Sequence, residues 1–438
     1  MYADQAGLQA EPIRPNRLRL EHSRADCDIC SRGDRPVPDG RSRSRIGQLR
    51  PPALTLPKTI LDRMSIISDF SPYQPTETER RLLGILLRSE RVTMAQMTSR
   101  LDVAQPSVSR IVSNLVDKGL IELGPRLAKG RGQPSPFLGL KPSYALALGV
   151  AILGDRLALV VLDFCGKSLW SRALHPSGMR RDSVLMALRD ALASLRSDTG
   201  IDPALIRVTG VGLSAFFVGE GNLMNPPDLL DDWALIDVEA EIAEVTGTPT
   251  FVDNDGNAAC IGEGLFGVGR HTRNFAYFQI TNGFGGGIVI DGRCHRGAFG
   301  NAGEFGALCL GAGLESPSLE RLRYHLGQSD LCFDSVGEML GKLPDLSHPG
   351  VASWIEEAVR GLSLAATAAA CVLDCQAIVL GGRLPRLLAE VLAERITIAH
   401  TARRGRPLPM PTVMPAQAPG DAVATGAAAM AFQNTFFV

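Results

Sequence analysis

No stretch of about 18 uncharged apolar residues occurs in the 438-residue chain, which excludes a membrane-spanning helix evident from hydropathy. The first residues, MYADQAGLQAEPIRPNRLRLEHSR, also lack the apolar centre of a secretion signal. Together these absences predict a cytoplasmic protein with no membrane partner. An excess of either charge is missing too: 45 Lys and Arg face 46 Asp and Glu, a formal net charge of −1. No global field therefore draws nucleic acid, and any such contact must come from a local basic patch. The nine cysteines are odd in number and scattered, which argues against a disulfide framework. Cys27 and Cys30 form a lone CxxC, but no second pair or nearby histidine cluster completes a tetrahedral set, so no metal ligand is expected.

What is present divides into parts, as expected for a chain longer than the roughly 100–200 residues of a typical domain. Residues 1–70 are rich in Arg, Pro, Asp and Ser, as in SRGDRPVPDGRSRSR, and cannot bury an apolar face; they predict a disordered arm. From Thr76 the periodicity becomes helical. TETERRLLGILLRSE sets Leu82, Leu83, Leu86 and Leu87 on one stripe, and MAQMTSRL follows. After DVAQ, Pro106 opens a third helix carrying Val108, Ile111, Val112 and Leu115 on one face, and Gly119 closes it. GLIEL and PFLGL then read as two strands around GPRLAKGRGQPS. Helix, helix, turn, helix and hairpin make a winged helix-turn-helix over residues 75–141.

The apolar stripe of the third helix faces the core, which leaves Ser107, Ser109, Arg110, Ser113, Asn114 and Lys118 for solvent. Hydroxyls and Lys118 suit phosphates, whereas Arg110 and Asn114 have the reach and the fork geometry for base edges. In the wing, Arg126, Lys129 and Arg131 stand among glycines, where a narrow hairpin can carry a guanidinium into the minor groove. A solvated basic turn is the plainer reading of that wing. Operator DNA is the partner these residues imply.

From residue 143 to 438 apolar runs such as ALALGVAIL, LALVVLD, VTGVGLSAF and FAYFQIT alternate with helical stretches such as SVLMALRDALASLR and WALIDVEAEIAEVTG, the pattern of an α/β architecture. AIVLGGRLPRLLAEVL adds a strand, a glycine turn and a helix, and DAVATGAAAMAF reads as a closing helix. The densest motif runs from Ile280 to Glu304, ITNGFGGGIVIDGRCHRGAFGNAGE, with VDNDGN about fifty residues before its end. Taken alone, Asn254, Asp255 and Gly256 make a good turn. Glu304 between glycines could simply cap a helix.

The motif resembles the signature of the ROK family of repressors, open reading frames and kinases: Ile280, Gly283, Phe284, Gly285 and Gly287 satisfy it in order, and Gly297, Gly303 and Gly306 keep its later spacing. The stretch PSVSRIVSNLVDKGLI and the GRGQPS wing are similar to the helix-turn-helix of ROK repressors. This resemblance implies a two-lobed actin/hexokinase-like (ribonuclease H-like) domain behind the winged helix, its final helix returning to the first lobe. It also implies that Asn254, Asp255 and Glu304, with Glu315 and the loop glycines Gly283 and Gly285, bind a sugar. In the kinases the aspartate matching Asp255 is the general base.

The chain departs from the family where phosphate chemistry is done. Ala151 stands at the aspartate of the first phosphate loop, and Leu153 and Gly154 replace its glycine pair. Ala307 replaces the histidine of the family's zinc element, and LCLGAGLES keeps Cys309 alone of its cysteines. Losing metal and phosphate contacts removes most of what accelerates phosphoryl transfer. The expectation is a sugar-responsive repressor, released from its operator by a sugar effector, working as a homodimer or homotetramer and needing no cofactor. The alternative is an ATP- and magnesium-dependent sugar kinase with Asp255 catalytic. A third reading makes the domain a dimerisation module only.

Overall fold

The computed structural model describes residues 73–437 except positions 90, 127–135, 220, 401–403 and 407. The arm at residues 1–70, Cys27 and Cys30, Lys129, Arg131 and the side chain of Arg126 lie outside the described residues.

The first part is built as its periodicity predicts. Helix α1 (Glu77–Leu87) starts at a capping box in which Thr76 and Glu79 satisfy each other's backbone N–H groups, and it buries Leu82, Leu83, Leu86 and Leu87. Strand β1 (Val92–Thr93) leads into α2 (Met94–Leu101), capped by the Thr93–Gln96 pair. Helix α3 (Gln105–Asp117) carries Pro106 in its first turn and buries Val108, Val112 and Leu115; Gly119, at φ 76°, turns the chain out of it. Strands β2 (Ile121–Arg126) and β3 (Pro136–Leu140) form the antiparallel hairpin, and β1 pairs along β3 to give the order β1-β3-β2.

The remainder forms two sheets. Lobe one contains β4 (Leu146–Leu153), β5 (Arg156–Asp163), β6 (Ser168–Leu174), helix α4 (Arg181–Thr199), β7 (Ile206–Leu213), a small ribbon of β8 (Phe216–Phe217) and β9 (Met224–Asn225), α5 (Val238–Thr246) and β10 (Thr250–Asn254). Helix α6 (Asp255–Phe266) follows, then lobe two: β11 (Phe275–Ile280), β12 (Phe284–Ile290), β13 (Arg293–Cys294), α7 (Gly306–Gly311), α8 (Leu319–Gly327), α9 (Val336–Gly341), α10 (Pro349–Leu373), β14 (Ala377–Gly382), α11 (Arg386–Arg395) and β15 (Thr412–Pro415). Helix α12 (Ala422–Thr435) ends the chain. The sheet orders are β10-β7-β4-β5-β6 and β13-β12-β11-β14-β15. In each, three antiparallel strands are followed by two more added in parallel beside the first. One topology is therefore built twice. The stretch WALIDVEAEIAEVTG is helical only from Val238; Trp233 instead ends a 3₁₀ turn, fully buried, with its indole N–H donating to the Met179 carbonyl.

Helix α12 joins these parts. It lies on β4 and β7 and against α6, and glycines allow the approach: a Cβ on Gly149 or Gly210 would fall 1.9 Å from the carbonyl oxygens of Ala424 and Ala427, and one on Gly426 would fall 1.7 Å from that of Ala258. Beyond its C-terminus, Phe436 and Phe437 stack around Phe164. One apolar cluster runs from Leu82 and Val108 of the winged helix through Phe164 and Phe436 to Ala258 on α6. The winged helix and the site-bearing helix thus share a core.

Candidate functional site

The junction of β10 and α6 places the first two site residues. Asn254 is the helix N-cap, its Oδ1 accepting the Asn257 N–H at 2.7 Å, and this fixes the amide so that Nδ2 donates to Glu304 Oε1 at 3.2 Å. Asp255, one residue on, accepts from the Ser214 hydroxyl at 3.0 Å and from the Gly256 N–H at 3.0 Å. Ser214 follows the end of β7 and was not singled out from sequence. Gly285 faces the same point: a Cβ there would lie 3.9 Å from Glu304 Oε2. Gly283 has open space where a side chain would stand. The structure therefore brings Asn254, Asp255, Glu304 and Gly285 together, with Gly283 at the turn beside them. Below them, buried Asp253 accepts from Asn257 Nδ2 and the Asn254 N–H and pairs with Arg296 at 2.7 Å.

Burial raises the Asp255 carboxyl above the usual carboxylate range, against the opposing pull of the Ser214 hydroxyl. Glu304 is raised as well, first by burial and then by the charge of Asp255, although its side chain keeps access to solvent at the rim. Two carboxylates held this way accept hydrogen bonds from adjacent hydroxyls. Glu315 has a different partner. It is exposed, and its carboxylate lies 3.6 Å from Arg321 Nε, whose guanidinium is gripped by Glu357. Glu357 holds that guanidinium at the shorter distance of 2.6 Å.

Among the described residues, the positions matching the family's metal and zinc elements carry no set of ligands. Ala151 is a buried β4 residue without a ligand atom. At the adjoining turn Asp155 receives Arg383 Nη1 at 2.7 Å on both carboxylate oxygens, and the same nitrogen reaches Asn282 Oδ1 at 3.2 Å. Arg383 follows β14, so this nearly buried pair clasps lobe one to lobe two beside the β4–β5 and β11–β12 turns. Cys309 packs against Gly361 with Leu308 and Leu310 beside it, and among the described residues no group of three or more His, Cys, Asp or Glu is arranged to hold a metal ion.

On α3, Arg110, Ser113 and Lys118 are exposed, and Ser107 and Ser109 are half-buried. Asn114 is otherwise engaged than the sequence predicts: its Nδ2 donates to Glu79 Oε1 at 2.9 Å and to the Tyr73 hydroxyl at 3.2 Å, so its amide holds α3 to the start of α1 and is not presented to a base edge. Lys118 Nζ stands 4.0 Å from the centroid of the Tyr73 ring. Next to Glu79, Arg80 donates to the carbonyls of Gln433 at 2.5 Å and Phe437 at 2.8 Å, the end of α12. Those carbonyls have no helical partner, and the guanidinium satisfies them while matching the negative end of the helix dipole. Sequence pattern gave no sign of this contact, because its partners are 353 and 357 positions away.

Residues 147–321 match the model of the ROK family, and residues 73–132 match that of the MarR family. The chain is 29% identical over 368 residues to uncharacterized protein y4fQ of Sinorhizobium fredii, covering 82% of this chain and 91% of that protein. It is 22% identical over 234 residues to the xylose repressor of Bacillus spizizenii, covering 53% of this chain and 60% of the repressor. Among solved structures, a ROK family transcriptional regulator homologous to the E. coli MLC protein superposes with a TM-score of 0.59 at 19% identity, over 81% of this chain and 95% of that one. The fold is therefore a winged helix joined to a two-lobed actin/hexokinase-like domain of the ROK type.

Proposed function

The chain joins a ROK-family domain to a MarR-type winged helix, and on that premise we propose a sugar-responsive DNA-binding transcriptional repressor of carbohydrate-utilisation genes. Residues 75–141 read the operator and residues 143–438 sense the sugar. The observation that carries the proposal is a continuous mechanical link: Asn254 and Asp255 start α6, α6 crosses α12 in backbone contact, the end of α12 is held by Arg80, and the neighbouring Glu79 holds Asn114 on α3. A sugar that moves α6 therefore reaches the recognition helix through packed, discrete contacts. Linkage requires it to bind the geometry that releases DNA more tightly, by about 1–3 kcal/mol for typical coupling.

In this reading Arg110, Ser107, Ser109 and Lys118 contact DNA, with Arg131 in the wing, and a two-fold assembly spaces the paired helices one turn apart. Such a regulator works in the cytoplasm. Asp255 serves as a hydroxyl acceptor in place of a general base, because the Asp155–Arg383 clasp occupies the ground on which a kinase grips phosphate. A gel-shift assay on the promoter region of the gene's own operon, titrated with pentoses and hexoses including xylose, tests the proposal. Release by a sugar, lost in Asp255→Asn, is the expected result. Robust ADP production from ATP, magnesium and a sugar would overturn it in favour of the kinase.

A further inference from the structure

One buried side chain near the site has no partner. Gln279 on β11 is 2% exposed, and neither its Oε1 nor its Nε2 has a hydrogen-bond partner. An amide in that state loses water at both atoms and gains little in return, a cost that native cores avoid unless the group has another task. Its register shows where it faces. Gln279 is directly opposite Gly285 on β12 and Gly381 on β14, so on both flanks the neighbouring position has no side chain. Directly opposed residues project to one face of a sheet, and the face of Gly285 is the one that approaches Glu304. Toward Asp255 the amide acts as a side-chain donor that favours the ionised carboxylate, at a geometry that falls short of a full hydrogen bond. Gln279 is thus aimed at the space between the two carboxylates.

The charges around that space limit what can enter. Asp255 and Glu304 bring two acceptors, and Ser214 and Asn254 bring neutral groups. The guanidiniums that approach these elements are committed elsewhere, Arg296 to Asp253 and Arg383 to Asp155. A phosphate or carboxylate on the ligand would face two carboxylates, with both of these guanidiniums already paired. A neutral polyol offers hydroxyl donors to the carboxylates and both a donor and an acceptor to the amide.

We propose that Gln279 is a ligand-reading residue of the sugar site, its amide bridging hydroxyls of an uncharged sugar and making the pocket reject sugar phosphates and sugar acids. The inference rests on the sugar-sensing reading above and adds the residue and the ligand class. Gln279→Leu, close in volume and lacking the amide, tests it in the full-length protein. Thermal unfolding without ligand decides the orphaned amide: the variant's Tm is expected to rise by about 2 °C, since a buried group without a partner has been removed. A fall, or no change, would mean that the amide is satisfied within the protein and would overturn the proposal. Calorimetric titration with glucose, xylose, glucose 6-phosphate and glucuronate reads the second half. Neutral sugars are expected to bind the wild type and to lose tenfold or more in the variant. Tighter binding of the phosphate or the uronate overturns the ligand class. If a neutral sugar binds and depends on Gln279 yet leaves operator DNA bound, the repressor reading fails while this one stands.

Discussion

Lobe one turns from β4 into β5 through Leu153, Gly154 and Asp155, and lobe two turns from β11 into β12 through Thr281, Asn282 and Gly283. The sheets share one strand order, so the two turns are topological equivalents. They have diverged in chemistry. The lobe-two turn keeps its glycines, leaving open space at Gly283 and a view of Glu304 at Gly285. The lobe-one turn carries a carboxylate that is closed off by Arg383, and Arg156 beside it pairs with Asp421, the N-cap of α12. A shared fold therefore fixes where a turn stands and leaves its use open. On the function proposed above, one turn serves recognition and the other holds the lobes together.

The comparison breaks most visibly at the clasp. Arg383→Ala leaves Asp155 in a site where its side chain is only 13% exposed, without its counter-charge. Loss of one partner of a buried pair costs about 3–5 kcal/mol, and urea unfolding should register most of it. The double variant Asp155→Leu/Arg383→Met should recover the larger part, because it removes both charges. If Arg383→Ala is neutral, the lobe-one turn is not a clasp. The recognition side breaks with smaller numbers: Asp255→Asn and Glu304→Gln each weaken a charge-assisted hydrogen bond worth about 1.5–3 kcal/mol, so sugar affinity measured by calorimetry should fall about 10- to 100-fold with the fold intact.

Much of this was legible in the chain. Alternating apolar runs gave β4, β5, β7 and β11, and the 3.6 period with Thr76, Pro106 and Gly119 gave the winged helix within a residue or two. Asn254, Asp255, Gly285 and Glu304 were visible because a glycine-rich signature leaves a local trace. What was hidden is non-local. The Arg383–Asp155 clasp spans 228 positions, and Arg80 reaches carbonyl oxygens, which carry no side-chain identity to read. Asn114 was misread for a related reason. A solvent-side polar residue on a helical wheel is a candidate for any partner, and only the packing of α1 against α3 reveals that Glu79 and Tyr73 claim it. Glu315 was carried by resemblance alone, and its ion-pair partner in the structure is Arg321.

Coupling between the halves is sharpened by Arg80→Ala. The α12 carbonyls then lose a charged donor, for a stability loss of about 1–2 kcal/mol. Operator affinity should stay within a few-fold, while sugar-driven release, followed by fluorescence anisotropy, should weaken by about tenfold. Unchanged release would mean that the signal runs by another route. On the DNA side, Arg110→Ala should cost about 1–2 kcal/mol in operator affinity. Asn114→Ala should act on the stability of the winged helix, leaving base preference unaltered.

The smallest effect follows from the two raised carboxyls. A carboxyl whose pKa is higher in the folded than in the unfolded state binds protons more readily when folded, so it favours folding on the acid side and loses that contribution as pH rises through the folded value. Asp255 and Glu304 are both raised, by burial first and, for Glu304, then by the charge of Asp255. In the sugar-free protein, the Tm difference between Glu304→Gln and wild type should therefore grow from weakly acidic to neutral pH, with the variant the more stable at neutrality. Saturating sugar should shrink that difference, because hydroxyl donors stabilise the ionised carboxylates. A difference that does not vary with pH would place Glu304 in ordinary solvent. Recognition would then rest on Asn254 and Asp255, with lobe two supplying only the wall.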